Sequence, residues 1–432
     1  MIISNKNLYK GVFILIFSIF LVRLMTENFH LPYLFNSVMD LFAIVILIIS
    51  LYIEQKKIPL SIFKPVWIIF LYAISIGVLS NVIRGGALYD IINGWVIYLR
   101  IFIGIVIGAL LFNAVVYKKF IKYIKILMII NVLVMTVQYF FFSLKQDKLG
   151  GVFGNTQGCN GVVNILCCIY VLLSISDYMI GREPLKKLII SVVITCYVGA
   201  ITELTVVYFE LVLIIVLSVL FTKKKKISLD TKKLSIIVVG VIGVFLGVRF
   251  YLYMFPDRAF LLNYNELLMY LGAGEKGTGV YEISRARVFH QLGNRFFSGI
   301  LDYLFGFGIG NCTMHSLFYQ IYGTKLHYNY FSSAMTFLES GILGVASCLG
   351  TCLLTFVTSR VLVKKTDEDE KKLLLNFSSV FAIIVIVNFF YNSSTRDLYT
   401  SYLCGVLLAI PFAINYELKN NKLSIILIKW GK

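Results

Sequence analysis

The sequence predicts an all-α protein: a polytopic transmembrane helical bundle of about 12 spans with a long helical extracytoplasmic loop. Three observations carry this. Of 432 residues, 59% are hydrophobic and 14% charged, against roughly half apolar and a quarter charged in soluble domains. The apolar residues fall in runs of roughly 18 or more, the length that crosses about 30 Å of hydrocarbon. Lys and Arg gather on alternate connections between those runs. Few Gly or Pro interrupt the runs, which favours helices, whose backbone bonds are all internal, over a barrel of short alternating strands.

Taken in order, the runs fall at about 8–25, 33–53, 60–80, 91–113, 121–143 and 161–180, then 188–201, 205–222, 234–253, 330–358, 373–391 and 398–415. The first follows Lys6 and Lys10 and leads into Thr26-Glu27-Asn28-Phe29-His30, with no small-residue cleavage site. It reads as an uncleaved helix. The seventh and eighth form one apolar stretch broken only by Thr202-Glu203. That stretch is too long for a single crossing, so it divides into two. The connections are short except for 254–329, a 76-residue segment between spans nine and ten. Residues 1–432 thus form a single integral membrane domain.

Orientation follows from the cations. With both termini in the cytoplasm, 27 of the 40 Lys and Arg lie in cytoplasmic segments and 10 in outer ones, as the positive-inside rule requires. The same rule accounts for the net charge of +18, which therefore implies no nucleic-acid partner. The runs Lys223-Lys224-Lys225-Lys226 and Asp367-Glu368-Asp369-Glu370 then lie inside, as solvated loop ends near anionic lipid. Most of the eight cysteines sit within apolar runs and act as small hydrophobes. No paired CxxC spacing suggests a metal, and Cys159 and Cys312, in outer loops, have the option of pairing.

Ionisable groups inside a bilayer are costly unless paired or wet. Here they are Arg23, Asp40, Arg100, Glu210, Arg249 and Glu339, all in the outer halves of their spans. This one-sidedness predicts either a cavity open to the outside, with Arg100, Arg249 and Glu339 on its walls, or a set of structural ion pairs. Glu339 is expected to pair with Arg100 or Arg249.

Within the long loop, 284–297 places Arg287, His290, Gln291, Asn294 and Arg295 on one helical stripe and Val288, Phe289, Leu292 and Phe296 on the other. Two arginines, an imidazole and two amides without a carboxylate suit an anion, since guanidinium groups match phosphate oxygens in pairs. The same stripe also suits lipid headgroups. Gly306-Phe307-Gly308-Ile309-Gly310 would let the backbone approach either a phosphate or another helix closely. His327, where the loop returns to the bundle, has the chemistry of a general base near neutral pH. These parts suit transfer of a sugar from a lipid pyrophosphate, whose departing charge arginines can stabilise without a metal.

At these residues the chain resembles the O-antigen ligase and O-antigen polymerase (Wzy-like) superfamily of bacterial envelope enzymes. Gly151-Val152-Phe153-Gly154-Asn155-Thr156-Gln157-Gly158-Cys159-Asn160 is similar to that family's Gly/Asn-rich outer loop. Arg285 with Phe289 and the GxGxG run is similar to its Arg-aromatic-GxG stretch. His327-Tyr328-Asn329-Tyr330 with Glu339-Ser340-Gly341-Ile342-Leu343-Gly344 is similar to its His-Asn and Glu-x-Gly-x-x-Gly signature. Asn stands two after His327 rather than next to it, and Thr202-Glu203-Leu204-Thr205 lacks the arginine that the family often has at that hairpin. The resemblance implies an undecaprenyl-pyrophosphate oligosaccharide donor, metal-independent and cofactor-independent glycosyl transfer at the outer face of the cytoplasmic membrane, and polymerisation into capsule, O-antigen or exopolysaccharide. It gives His327 the role of base and Arg285 that of phosphate binding; the helix face favours Arg287 and Arg295, and all three are retained. Implied partners are membrane lipid, a chain-length regulator and a flippase. The alternatives are a ligase that moves a finished glycan to another acceptor, on the same fold, and a flippase for lipid-linked oligosaccharide.

Overall fold

The computed structural model describes residues 5–53 save 30 and 33, 64–221 save 157, 231–266 save 264, 283, and 287–418. Among them the ordered elements are helices: α1 Asn5–Asn28, α2 Leu34–Ile53, α3 Lys64–Ile83, α4 Leu88–Leu111, α5 Ala114–Phe141, α6 Asn160–Met179, α7 Leu185–Ile201, α8 Val206–Phe221, α9 Thr231–Met254, α10 Val288–Phe296, α11 Ile300–Phe305, α12 Ser332–Val363, α13 Asp369–Tyr391 and α14 Leu398–Leu408. Nine are long and apolar enough to cross a membrane, α14 with its continuation to Leu418 among them. The three other predicted spans are helical too: α3, α7 and α8.

Local chemistry sets several boundaries. Between α4 and α5 only Phe112 and Asn113 intervene, and the Asn113 side chain accepts from the Val116 amide at 2.9 Å, satisfying one orphan N–H of the new helix. Asp397 caps α14 by accepting from the Tyr399 amide at 3.0 Å. The long seventh stretch breaks where expected: α7 stops at Ile201, Glu203 takes a left-handed φ of 57°, and α8 begins at Val206. Predicted span ten, 330–358, is observed as α12 with a break at Gly341, whose φ is 63°.

Close helix contacts are built on small residues, as is usual where lipid surrounds the bundle. On α4, a Cβ at Gly104 would fall 2.7 Å from the Tyr402 carbonyl oxygen and 3.0 Å from the Cα of Gly405, so this crossing with α14 tolerates nothing larger. The charged connections sort to two ends. At one, Lys125 pairs with Asp177 (2.5 Å) and Glu183 (3.1 Å), Lys118 with Glu370 (2.7 Å) and Lys371 with Glu417 (3.0 Å). These are segments that the cation alternation assigns to one side. The segments assigned to the other side meet at the opposite end and build the site described next.

Candidate functional site

The segment after α11 is the structural surprise. Gly306–Gly310 passes between α3, α4 and α12, and several of its amides and carbonyls bond to those helices. Phe307 N–H donates to the Leu338 carbonyl (2.6 Å) and Ile309 N–H to that of Gly77 (3.0 Å), while the Asn81 amide donates to the Ile309 carbonyl (2.6 Å). Gly306, Gly308 and Gly310 have φ of 82°, 136° and 99°, and a Cβ on any of them would strike Glu339, Asn81 or Asp90 backbone. Of the two uses open to the glycines, close approach to helices is the one observed. Glu339, fully buried, accepts from the amides of Gly310 (3.0 Å) and Cys312 (2.8 Å) and pairs with Arg396 at 2.6 Å.

Arg396 lies in the short connection between α13 and α14, stacked 4.7 Å above the Tyr98 ring. Burial disfavours its charge, but Glu339 outweighs burial and holds Arg396 above the ordinary arginine value, so it remains a cation. Its backbone carbonyl accepts from Arg100 (3.3 Å), and Arg100 grips Asp40 with two parallel bonds of 2.9 and 2.7 Å. Tyr402 completes the carboxylate with a bond of 2.8 Å. Glu339 therefore pairs with Arg396, not with Arg100 or Arg249 as the sequence suggested. Arg100 is committed to Asp40, and Arg249 lies over Phe245 (5.5 Å) on the far side of α9. The groove that Arg249 lines includes neither Arg100 nor Glu339. Sequence depth orders charges along the membrane normal but says nothing of which helix face meets which. Cys159 and Cys312 are both free.

A polar cleft of about 240 Å³ opens at the same end. Asp147 comes from the α5–α6 connection and Asn160 from the start of α6, Glu203 and Thr205 from the α7–α8 hairpin, Tyr251 and Arg258 from the end of α9 and the 3-10 helix Pro256–Leu262. Tyr330 precedes α12, and Tyr391 and Asn392 close α13. Arg258 pairs with Glu203 at 2.7 Å. The hairpin that lacks an arginine in sequence thus receives one from another segment. Beneath the cleft, Asn392 donates to Asn388 (2.7 Å), and Asn388 donates to the fully buried Glu210 (2.5 Å). Asn164 (2.8 Å) and Cys168 (3.1 Å) also donate to that carboxyl, so an ionisable group in the core is met by neutral donors on both oxygens.

His327 adjoins the cleft through Tyr330. It has a left-handed backbone (φ 55°), and its ring stacks on Tyr330 with centroids 5.0 Å apart and planes 12° from parallel. Non-glycine residues rarely adopt this conformation, and where they do the surroundings hold them there. The predicted amphipathic helix is α10. Val288 and Leu292 are buried; Phe289 packs on Phe337 (4.7 Å) and near Phe390 (6.2 Å), the neighbour of cleft residue Tyr391. Arg287, His290, Asn294 and Arg295 are exposed. Arg285 lies outside the described residues. The stripe is held down through α11: Asp302 accepts from Ser298 and pairs with Arg84 at 2.9 Å. Burial pushes the Asp302 carboxyl up, but Ser298 and Arg84 prevail and lower it below the ordinary value.

The residues missed by sequence reasoning are Arg258, Glu203, Tyr330, Tyr391 and Asn392 in the cleft, and Arg396 as partner of Glu339. Their only common signal was membership of segments on one side of the alternation. Among the described residues, no three His, Cys, Asp or Glu side chains are grouped to hold a metal ion. The chain matches no protein-family model, no curated protein and no solved structure.

Proposed function

We propose that this chain is a multi-pass enzyme of the cytoplasmic membrane, spanning it about 12 times with both termini inside. It polymerises undecaprenyl-pyrophosphate-linked oligosaccharide repeat units by glycosyl transfer at the outer face. The observation that carries the reading is the cleft to which five connections contribute, with His327 stacked on its Tyr330 wall. Sugars present hydroxyl edges and apolar C–H faces. Asn160, Asn392 and Asp147 supply donors and acceptors for the former, and the Tyr rings, apolar in body and polar at the tip, suit the latter. In this account His327 takes the proton from the acceptor hydroxyl, whose oxygen bonds to the anomeric carbon of the donor as that carbon's bond to the pyrophosphate oxygen breaks. The departing pyrophosphate gains charge as it leaves, and Arg285, Arg287 and Arg295 supply the compensating cations on the loop.

The test is glycan length on a gel, in cells whose only copy of the gene carries His327→Ala, with single lipid-linked repeats assayed alongside. Chain formation is expected to fall by about a hundredfold to ten-thousandfold, the usual size of a lost general base, while single repeats accumulate. His315→Ala, at an exposed position whose ring lies 5.9 Å from Tyr89, is expected to cost far less. Unchanged chain length after His327→Ala removes His327 from the mechanism.

A further inference from the structure

Helices α8 and α9 face each other across an open-sided groove of about 820 Å³. Its volume is that of pockets which enclose whole organic ligands, about 300–1,000 Å³. The walls are aliphatic, with Phe245 the one ring and Arg249 the one charge. Along α9 the lining runs from Ile237 to Leu252, about 22 Å at 1.5 Å per residue. Val212, Val216 and Val241 are exposed, so the groove opens sideways to the apolar surroundings of the bundle.

Arg249 sits close to the end of α9 that meets the cleft. Its guanidinium lies 5.5 Å from the Phe245 ring, and among the described residues it has no ion-pair partner. A guanidinium bordering an aliphatic groove is favoured by an anionic partner. The groove and the cleft draw on neighbouring residues of one stretch of chain, 249–262. Arg249 and Leu262 line the groove, while Tyr251 and Arg258, between them in sequence, line the cleft.

We propose that this groove holds the polyisoprenoid tail of the phosphate-headed carrier lipid that bears the acceptor sugar, with its phosphate on Arg249 and its sugar passed over the end of α9 into the cleft. This rests on the reading of the cleft given above. Charge complementarity selects an anionic head, and the nearness of the cleft along 249–262 selects a lipid whose head carries a large polar substituent. A phospholipid would fill the groove and leave the cleft idle.

Lipid binding tests this without turnover. The full-length protein in nanodiscs is titrated with undecaprenyl phosphate in the presence of phosphatidylglycerol, and bound lipid is read by native mass spectrometry. Undecaprenyl phosphate is expected to be retained against excess phosphatidylglycerol. Arg249→Ala should weaken it by about tenfold to a hundredfold, the value of one charge-assisted bond, with partial recovery in Arg249→Lys. Val216→Trp, at an exposed groove position on the other helix, should weaken it with the charge intact. Equal displacement by phosphatidylglycerol, or binding that neither variant alters, overturns the proposal. Binding that behaves as expected in a protein that forms no polymer upholds the groove and counts against polymerisation alone.

Discussion

Glu339 makes three bonds at once, two to loop amides and one to Arg396, and is fully buried. Removing either member of a buried ion pair strands the other charge, at a cost of about 3–5 kcal/mol. Arg396→Leu and Glu339→Leu should each lower the melting temperature in detergent sharply, and the double replacement should cost less than the sum. Additive losses would mean that the two charges are held by other partners. The sequence placed Glu339 among costly buried charges, and rightly so, but offered it the wrong arginine. Arg396 lies 57 positions away in a six-residue connection that looked like an ordinary polar turn. Two carboxylates and two arginines at similar depth permit several pairings, and only the azimuth of each helix decides between them. His327 could be put forward from sequence because the choice rested on its own position and chemistry. Arg258 was not, because its meaning depends on Glu203 across the fold.

The Gly306–Gly310 segment shows the same limit for whole elements. Its composition announced close backbone approach, yet its partners, Gly77, Asn81 and Leu338, lie on helices far away in sequence. Gly308→Ala forces a side chain into φ 136°, with the new Cβ about 2.8 Å from that of Asn81. The strained backbone alone costs about 1–3 kcal/mol, so folding yield and melting temperature should both fall. Gly299→Ala is the control, since a Cβ there meets nothing within 4 Å, and it should stay within about 0.5 kcal/mol of wild type. Equal effects of the two substitutions would contradict the inserted-loop account. By contrast, α10 was readable almost residue by residue: its 3.6-residue periodicity names the buried face, and tertiary contacts with Phe337 and Phe390 only fix where that face docks.

For the molecule as a whole, composition and periodicity were enough to foresee an all-helical bundle, because lipid leaves a long apolar chain few other options. Among the described residues, segments that the cation alternation puts on one side pair with one another. What remained hidden was how one end closes: as an ion-pair chain through Arg396 and Arg100 beside a separate polar cleft, rather than as one charged cavity. The central claim is that this end joins lipid-linked sugars. It is tested most directly by reconstituting the purified protein in liposomes with an undecaprenyl-pyrophosphate oligosaccharide as sole substrate. Products are resolved by length, and released undecaprenyl pyrophosphate is counted. The account predicts a ladder of lengthened glycans on lipid, one undecaprenyl pyrophosphate freed per new linkage, and loss of both when Arg287 and Arg295 are replaced by alanine. Movement of intact single repeats across the bilayer, with no ladder and no release, would contradict it.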